Sequence, residues 1–273
     1  MSDEPRYGQR TPGPATPPPA TPVRPTPPRK PRAPSPIFVA LVTVAIVSGW
    51  ALWNGVGSVG LVTFVFVATA WVVTLCLHEF AHALVAFRNG DESVIYRGYL
   101  TLDPLKYTHV LFSIVLPLLF LLLGGIGLPG GAVFIDRGAL RTRFSRSAVS
   151  AAGPLTNITI AVLLAVAFRF QGSMNPLWSA LAFLAFLQVT AAIINLLPVP
   201  GLDGFGIIEP YLPPRWLARA AQIAPFALIG VFVLLWIPQV NIAFFNGIFG
   251  IMQLIGIQPI LVSVGLGQFQ FWR

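Results

Sequence analysis

The chain has 273 residues, of which 10% are charged and 55% hydrophobic, and a mean hydropathy of +0.77. A soluble domain carries about a quarter charged residues, so this composition excludes a water-soluble enzyme and places the chain in lipid. The net charge of +8 reads as membrane orientation rather than nucleic-acid binding. The single cysteine, Cys76, excludes an intramolecular disulfide.

Residues 1–36 hold 13 of the 26 prolines and almost no large aliphatic side chains. Such a segment buries too little apolar surface to offset its ordering entropy, so a disordered basic tail with polyproline II character is expected. A solvated leader is the favoured reading, and a docking site for a cytoplasmic partner is the alternative. A cleaved signal peptide is not expected, because the tail is long and no A-x-A site follows the first apolar run. Residues 37–273 read as one membrane-embedded domain.

Apolar runs long enough to cross a hydrocarbon core of about 30 Å recur from there on. Spanning helices are expected near Ile37–Trp53, Leu61–Phe87, Ala148–Phe168, Leu177–Leu197, Trp216–Ile237 and Ile242–Val264. The run Val110–Leu123 is short for a span, is broken by Pro117 and precedes GGIGLPGGAVFID. If the N-terminus is cytoplasmic and this run does not cross, 16 of the 17 lysines and arginines fall on the cytoplasmic side, with Arg169 alone outside. A crossing there would strand Arg137, Arg141, Arg143 and Arg146 on the wrong face.

The expected fold is therefore an all-α polytopic membrane protein of about six transmembrane helices. It includes a re-entrant segment in which a short helix dips into the bilayer and Gly131–Ile135 returns as an extended strand buried in protein. The expected location is a bacterial plasma membrane with both termini cytoplasmic. Trp50, Trp53, Trp178, Trp216 and Trp236 lie near span ends, where an interfacial aromatic belt is expected.

Two of the chain's three histidines fall in LCLHEFAHALVAF, Leu75–Phe87. Positions i and i+4 share a helix face, so His78 and His82 can hold one ion with Glu79 beside it. H-E-x-x-H suits zinc chemistry: neutral imidazoles bind the metal, and the adjacent carboxylate can take a proton from water. A lone helical His is more often a packing residue, but an ionisable group inside a membrane costs on the order of 3 kcal/mol and marks function. His78 lies ten residues before Arg88, about 15 Å along the helix. The third histidine, His109, reads as an interfacial or capping residue.

A catalytic zinc normally takes three protein ligands, so one more must come from elsewhere. The acidic residues past the tail are Asp91, Glu92, Asp103, Asp136, Asp203 and Glu209. Asp203 follows an apolar span in INLLPVPGLDGFG, where Pro198, Pro200, Gly201 and Gly204 break the helix and let a carboxylate turn inward. On composition alone an ordinary Asp-Gly turn residue is the better reading.

HEFAH at 78–82, AGPLTN at 152–157 and NLLPVPGLDG at 195–204, in that order on separate spans, resemble the site-2 protease family of intramembrane zinc metalloproteases. The resemblance implies that His78, His82 and Asp203 ligate Zn2+ and that Glu79 is the catalytic acid/base. It assigns Asn157 and Asn195 to shaping the site or holding substrate backbone, against the plainer reading of helix–helix hydrogen bonds. Gly131, Ala132 and Val133 resemble the family's substrate-holding strand, with a packed loop as the alternative.

Ala81 and Phe205 stand where many members have glycine, and no loop is long enough for an inserted PDZ-type domain. The implied substrate is a single-span membrane protein within the lipid bilayer, cleaved in regulated intramembrane proteolysis. Competing readings are a protease of another H-E-x-x-H family with Glu209 as third ligand, a membrane metal-ion transporter, and a catalytically inactive binding homologue.

Overall fold

A computed structural model describes residues 33–107, 133–172 and 174–272. Residues 1–32 of the expected tail, the run Val110–Leu123 with its expected dip, and His109, Gly131 and Ala132 lie outside the described residues.

Helices begin where the sequence supplies caps. Before α1 (Pro36–Asn54), Ser35 Oγ accepts the Phe38 N–H at 3.1 Å, and Pro36 sits where a missing N–H costs nothing. The 30-residue α2 (Val59–Arg88) is about 45 Å long, more than enough to cross a bilayer. A single turn, α3 (Ser93–Tyr96), follows. Thr142 caps α4 (Arg143–Phe168) by accepting the Ser145 N–H at 3.0 Å. Asn175 caps α5 (Pro176–Asn195) by accepting the Leu177 N–H at 3.1 Å. The rest of the chain forms α6 (Asp203–Ile208), α7 (Pro214–Trp236), α8 (Pro238–Leu254) and α9 (Pro259–Phe269).

At the centre stands α5, whose Phe183, Phe186 and Leu187 pack with Trp71 of α2, Ile248 and Met252 of α8, and Phe269 of α9. Gln188 donates from Nε2 to Thr74 Oγ1 at 2.9 Å. That polar tie joins α5 to α2 in the interior, where small and polar groups do the work that apolar burial does in water.

The first four expected spans correspond to α1, α2, α4 and α5, each long and apolar enough to cross a membrane. The fifth corresponds to α7, and the last is corrected. In place of one helix over Ile242–Val264, α8 ends at Leu254 and α9 leaves at 114° to it. Gly256 takes a left-handed φ of +85, ending the helix, and Pro259 can start a helix but not continue one. The expected Trp216–Ile237 span bends by 58° within α7, just past its internal Pro225. Counting each bent pair as one span gives up to six crossings, and the chain is an all-α integral membrane protein.

Two smaller expectations also change. There is no β-strand among the described residues, and Val133–Ile135 lies in no helix or strand. Trp178 is buried rather than interfacial, its ring 5.1 Å from that of Phe168 and 6.3 Å from that of Trp53. Trp50, Trp53, Trp216 and Trp236 are exposed, as a belt requires.

Candidate metal centre

Helical periodicity puts His78 and His82 on the buried face of α2, with their Nε2 atoms 3.1 Å apart. Each ring is held from behind. His78 Nδ1 lies 3.2 Å from Asn157 Oδ1, and His82 Nδ1 lies 2.6 Å from the Val149 carbonyl, both on α4. A carbonyl only accepts, so Nδ1 of His82 carries the proton and its Nε2 lone pair faces inward. Asn157 directs His78 likewise.

Asp203 arrives from the opposite side. After α5 ends at Asn195, the chain turns through Pro198, Pro200 and Gly201 and doubles back on itself. A Cβ on Gly204 would stand closer than 3.0 Å to the carbonyls of Leu196 and Leu197, so the turn needs glycine there. α6 is then clamped to α4 by Ser147 Oγ, which donates to the Ile207 carbonyl at 2.6 Å. The result sets Asp203 Oδ2 3.3 Å from His78 Nε2 and Asp203 Oδ1 3.4 Å from His82 Nε2.

Two imidazole nitrogens and a carboxylate therefore converge, all within 4.8 Å of one another. Two nitrogen donors and an oxygen donor form a set that suits a borderline divalent ion. Lone pairs brought this close repel unless a cation lies between them. The surroundings also leave room: a Cβ on Gly153 of α4 would stand closer than 3.0 Å to both Nε2 atoms and 2.6 Å from His78 Cε1. Pro154 follows at once, removing a helix hydrogen bond and pressing its ring toward the Ser150 carbonyl in the turn that presents Val149. Asn157→Ala leaves the three ligands but frees the His78 ring. It is expected to weaken divalent-ion binding about 10- to 100-fold, measurable by competition with a chromophoric chelator.

Glu79 lies beside the pair and is 2% exposed. Its Oε2 accepts the Val133 N–H at 3.2 Å, so the segment after the undescribed stretch reaches the site. Asn195 is buried at the end of α5. Of the expected site residues, then, His78, His82, Asp203, Glu79, Asn157 and Val133 meet in one place. Glu209, the competing third ligand, is paired instead with the Arg137 guanidinium.

Sequence reasoning missed Gly153, the Val149 carbonyl and Asp91. The last is 1% exposed, and its Oδ2 accepts the Asp136 N–H at 2.8 Å. In the sequence it sits in Asn-Gly-Asp-Glu, which reads as a plain turn.

No family model and no solved structure matches the chain. Curated relatives do. The protein named "putative zinc metalloprotease Rip2" of Mycobacterium tuberculosis is 44% identical over 245 residues, which cover 88% of this chain and 94% of the relative. Its namesake in Mycolicibacterium smegmatis is 42% identical over the same shares. The "putative zinc metalloprotease YwhC" of Bacillus subtilis is 30% identical over 179 residues, 62% of this chain and 79% of the relative. With nearly the whole length of such relatives matched, and with the ligand set on α2 and α6 that the motifs imply, the chain belongs to the site-2 protease family of zinc metalloproteases.

Proposed function

We propose that this metalloprotease cleaves inside the membrane, hydrolysing peptide bonds in or near the transmembrane segment of single-span membrane proteins. The observation that carries the reading is where the His78, His82 and Asp203 cluster is built: both histidines lie within Val59–Arg88, a helix long and apolar enough to cross a membrane. A soluble protease has no need to sink its ligands there. The reading includes regulated intramembrane proteolysis, a bacterial plasma membrane, and both termini on the cytoplasmic side, where the basic loops concentrate.

His78, His82 and Asp203 would hold Zn2+, which when bound supplies Lewis acidity toward a peptide carbonyl and makes water acidic enough to give up a proton near neutral pH. The chain's own groups do the rest. Val133 N–H holds Oε2 of Glu79, leaving Oε1 to take the proton as a water oxygen attacks the carbonyl carbon. Glu79 then passes that proton to the amide nitrogen as the C–N bond breaks. The products are a carboxylate and an amine.

An intact substrate helix hides its carbonyls in its own hydrogen bonds, so the substrate must unwind near the site. The chain at Val133–Ile135 gives such a peptide a backbone edge to lie against. Together with Gly131, Ala132 and Asn195, it is the surface we assign to substrate.

The test is reconstitution of the purified protein in liposomes with a single-span protein. Cleavage is expected to vanish with a chelator and return with Zn2+. Asp203→Ala is expected to lose the metal, and Glu209→Ala to keep it. Metal content that follows Glu209, or no cleavage by metal-loaded protein, sinks the proposal.

A further inference from the structure

We infer that Asp91 is a positioning residue for the Glu79 carboxylate, acting through the segment Val133–Arg137. The inference rests on the proposed role of Glu79. Val133–Ile135 lies in no helix or strand, so the place of the Val133 amide is set by whatever anchors the segment. Among the described residues, two hydrogen bonds from its backbone N–H groups leave the segment, and both lead to α2 or the turn that continues it. Val133 N–H meets Glu79 Oε2 at 3.2 Å, and Asp136 N–H meets Asp91 Oδ2 at 2.8 Å.

Asp91 is continuous with α2, because its own N–H bonds to the Ala86 carbonyl at 3.1 Å. Its other oxygen, Oδ1, is taken by the Ser93 N–H at 2.9 Å, which stops the carboxylate from turning. Glu79 and Asp91 thus stand on one rigid element. The strap between them is short: three residues of extended chain cover about 10 Å. A shift at Asp136 passes to Val133 with little slack.

The remaining contacts set depth rather than register. Val133 and Ile135 pack against an apolar cluster, and such packing has no direction. Phe134 lies under the Arg97 guanidinium, 4.3 Å from its ring centroid. The outer ion pair of Arg137 with Glu209 joins side chains 49% and 29% exposed, and a pair that open adds little. Asp91 is a directional tie, made by a residue that is itself 1% exposed.

The experiment uses the full chain in liposomes with a single-span substrate. Asp91→Asn keeps the shape and the oxygen facing Ser93, but turns an N–H toward the Asp136 N–H. Metal content is expected to stay within twofold of wild type, while kcat falls about 10- to 100-fold, the range for losing one hydrogen bond to a charged group. Val133→Pro removes the other end of the tie and is expected to match it. The double variant is expected to lose no more than the worse single one, since both changes break the same link.

Wild-type kcat in either single variant overturns the inference, as do additive losses. So does loss of metal or of folded protein in Asp91→Asn, which would assign Asp91 to the fold alone. A wild-type protein that cleaves nothing, or a Glu79→Gln variant that cleaves fully, would instead fail the functional reading on which the inference rests.

Discussion

Glu79→Gln is expected to abolish cleavage of a reconstituted single-span protein while leaving the bound metal in place. The two residues have nearly the same volume, and a Gln carbonyl oxygen can still accept the Val133 N–H that now reaches Glu79 at 3.2 Å. Packing at this 2% exposed position is therefore preserved. The cluster placed to hold a metal ion is His78, His82 and Asp203, and Glu79→Gln leaves all three unchanged. What the amide lacks is basicity. It cannot take a proton from water or return one to the leaving amine, a contribution of about 10²- to 10⁴-fold in rate. Single-turnover cleavage measured beside metal stoichiometry separates this outcome from damage to the site. Loss of both activity and metal would make Glu79 a ligand or a structural residue, and full activity would remove it from the chemistry.

How much of this was legible before the fold was seen depends on how local each signal is. His78, Glu79 and His82 were readable because a helix repeats its faces every 3.6 residues, a property of five consecutive positions. The starts near Ile37 and Leu177 were readable from where the apolar runs begin, while the caps Ser35 and Asn175 two residues earlier came with the structure. Asp203 was not readable from its neighbourhood, since Asp-Gly after prolines is an ordinary turn. The family motif pointed to it, and the fold brings it to the histidines. The last span was misread for a physical reason. A run of apolar residues encodes how much chain lipid accepts and says nothing about its direction, so the 114° corner between α8 and α9 left only Gly256 and Pro259 as traces. Asp91 was invisible, because its importance lies in what approaches it from a loop distant in sequence; Gly153 stood within the AGPLTN motif, but its closeness to the imidazoles is set by how α4 packs on α2.

Gly153→Ala is expected to cost the protein its metal, and with it its activity, without costing it the fold. On helix propensity alone the change is favourable by about 1 kcal/mol, because glycine is the poorer helix former. The added methyl, however, falls closer than 3.0 Å to both Nε2 atoms, in the space the ion needs. A flexible side chain would swing away at little cost, but these rings are pinned from behind by Asn157 Oδ1 at 3.2 Å and the Val149 carbonyl at 2.6 Å. Either a hydrogen bond breaks or α4 moves off α2, and both outcomes part the ligands. A loss of metal affinity of at least about 100-fold follows, on the scale of disrupting the partners that orient ligating histidines. Gly267→Ala in α9 is the matched control, a helical glycine with nothing within 4 Å of the added atom, and it should bind metal as wild type does. Equal metal content and equal cleavage in the two variants would mean that α4 does not press on the imidazoles as the structure has it.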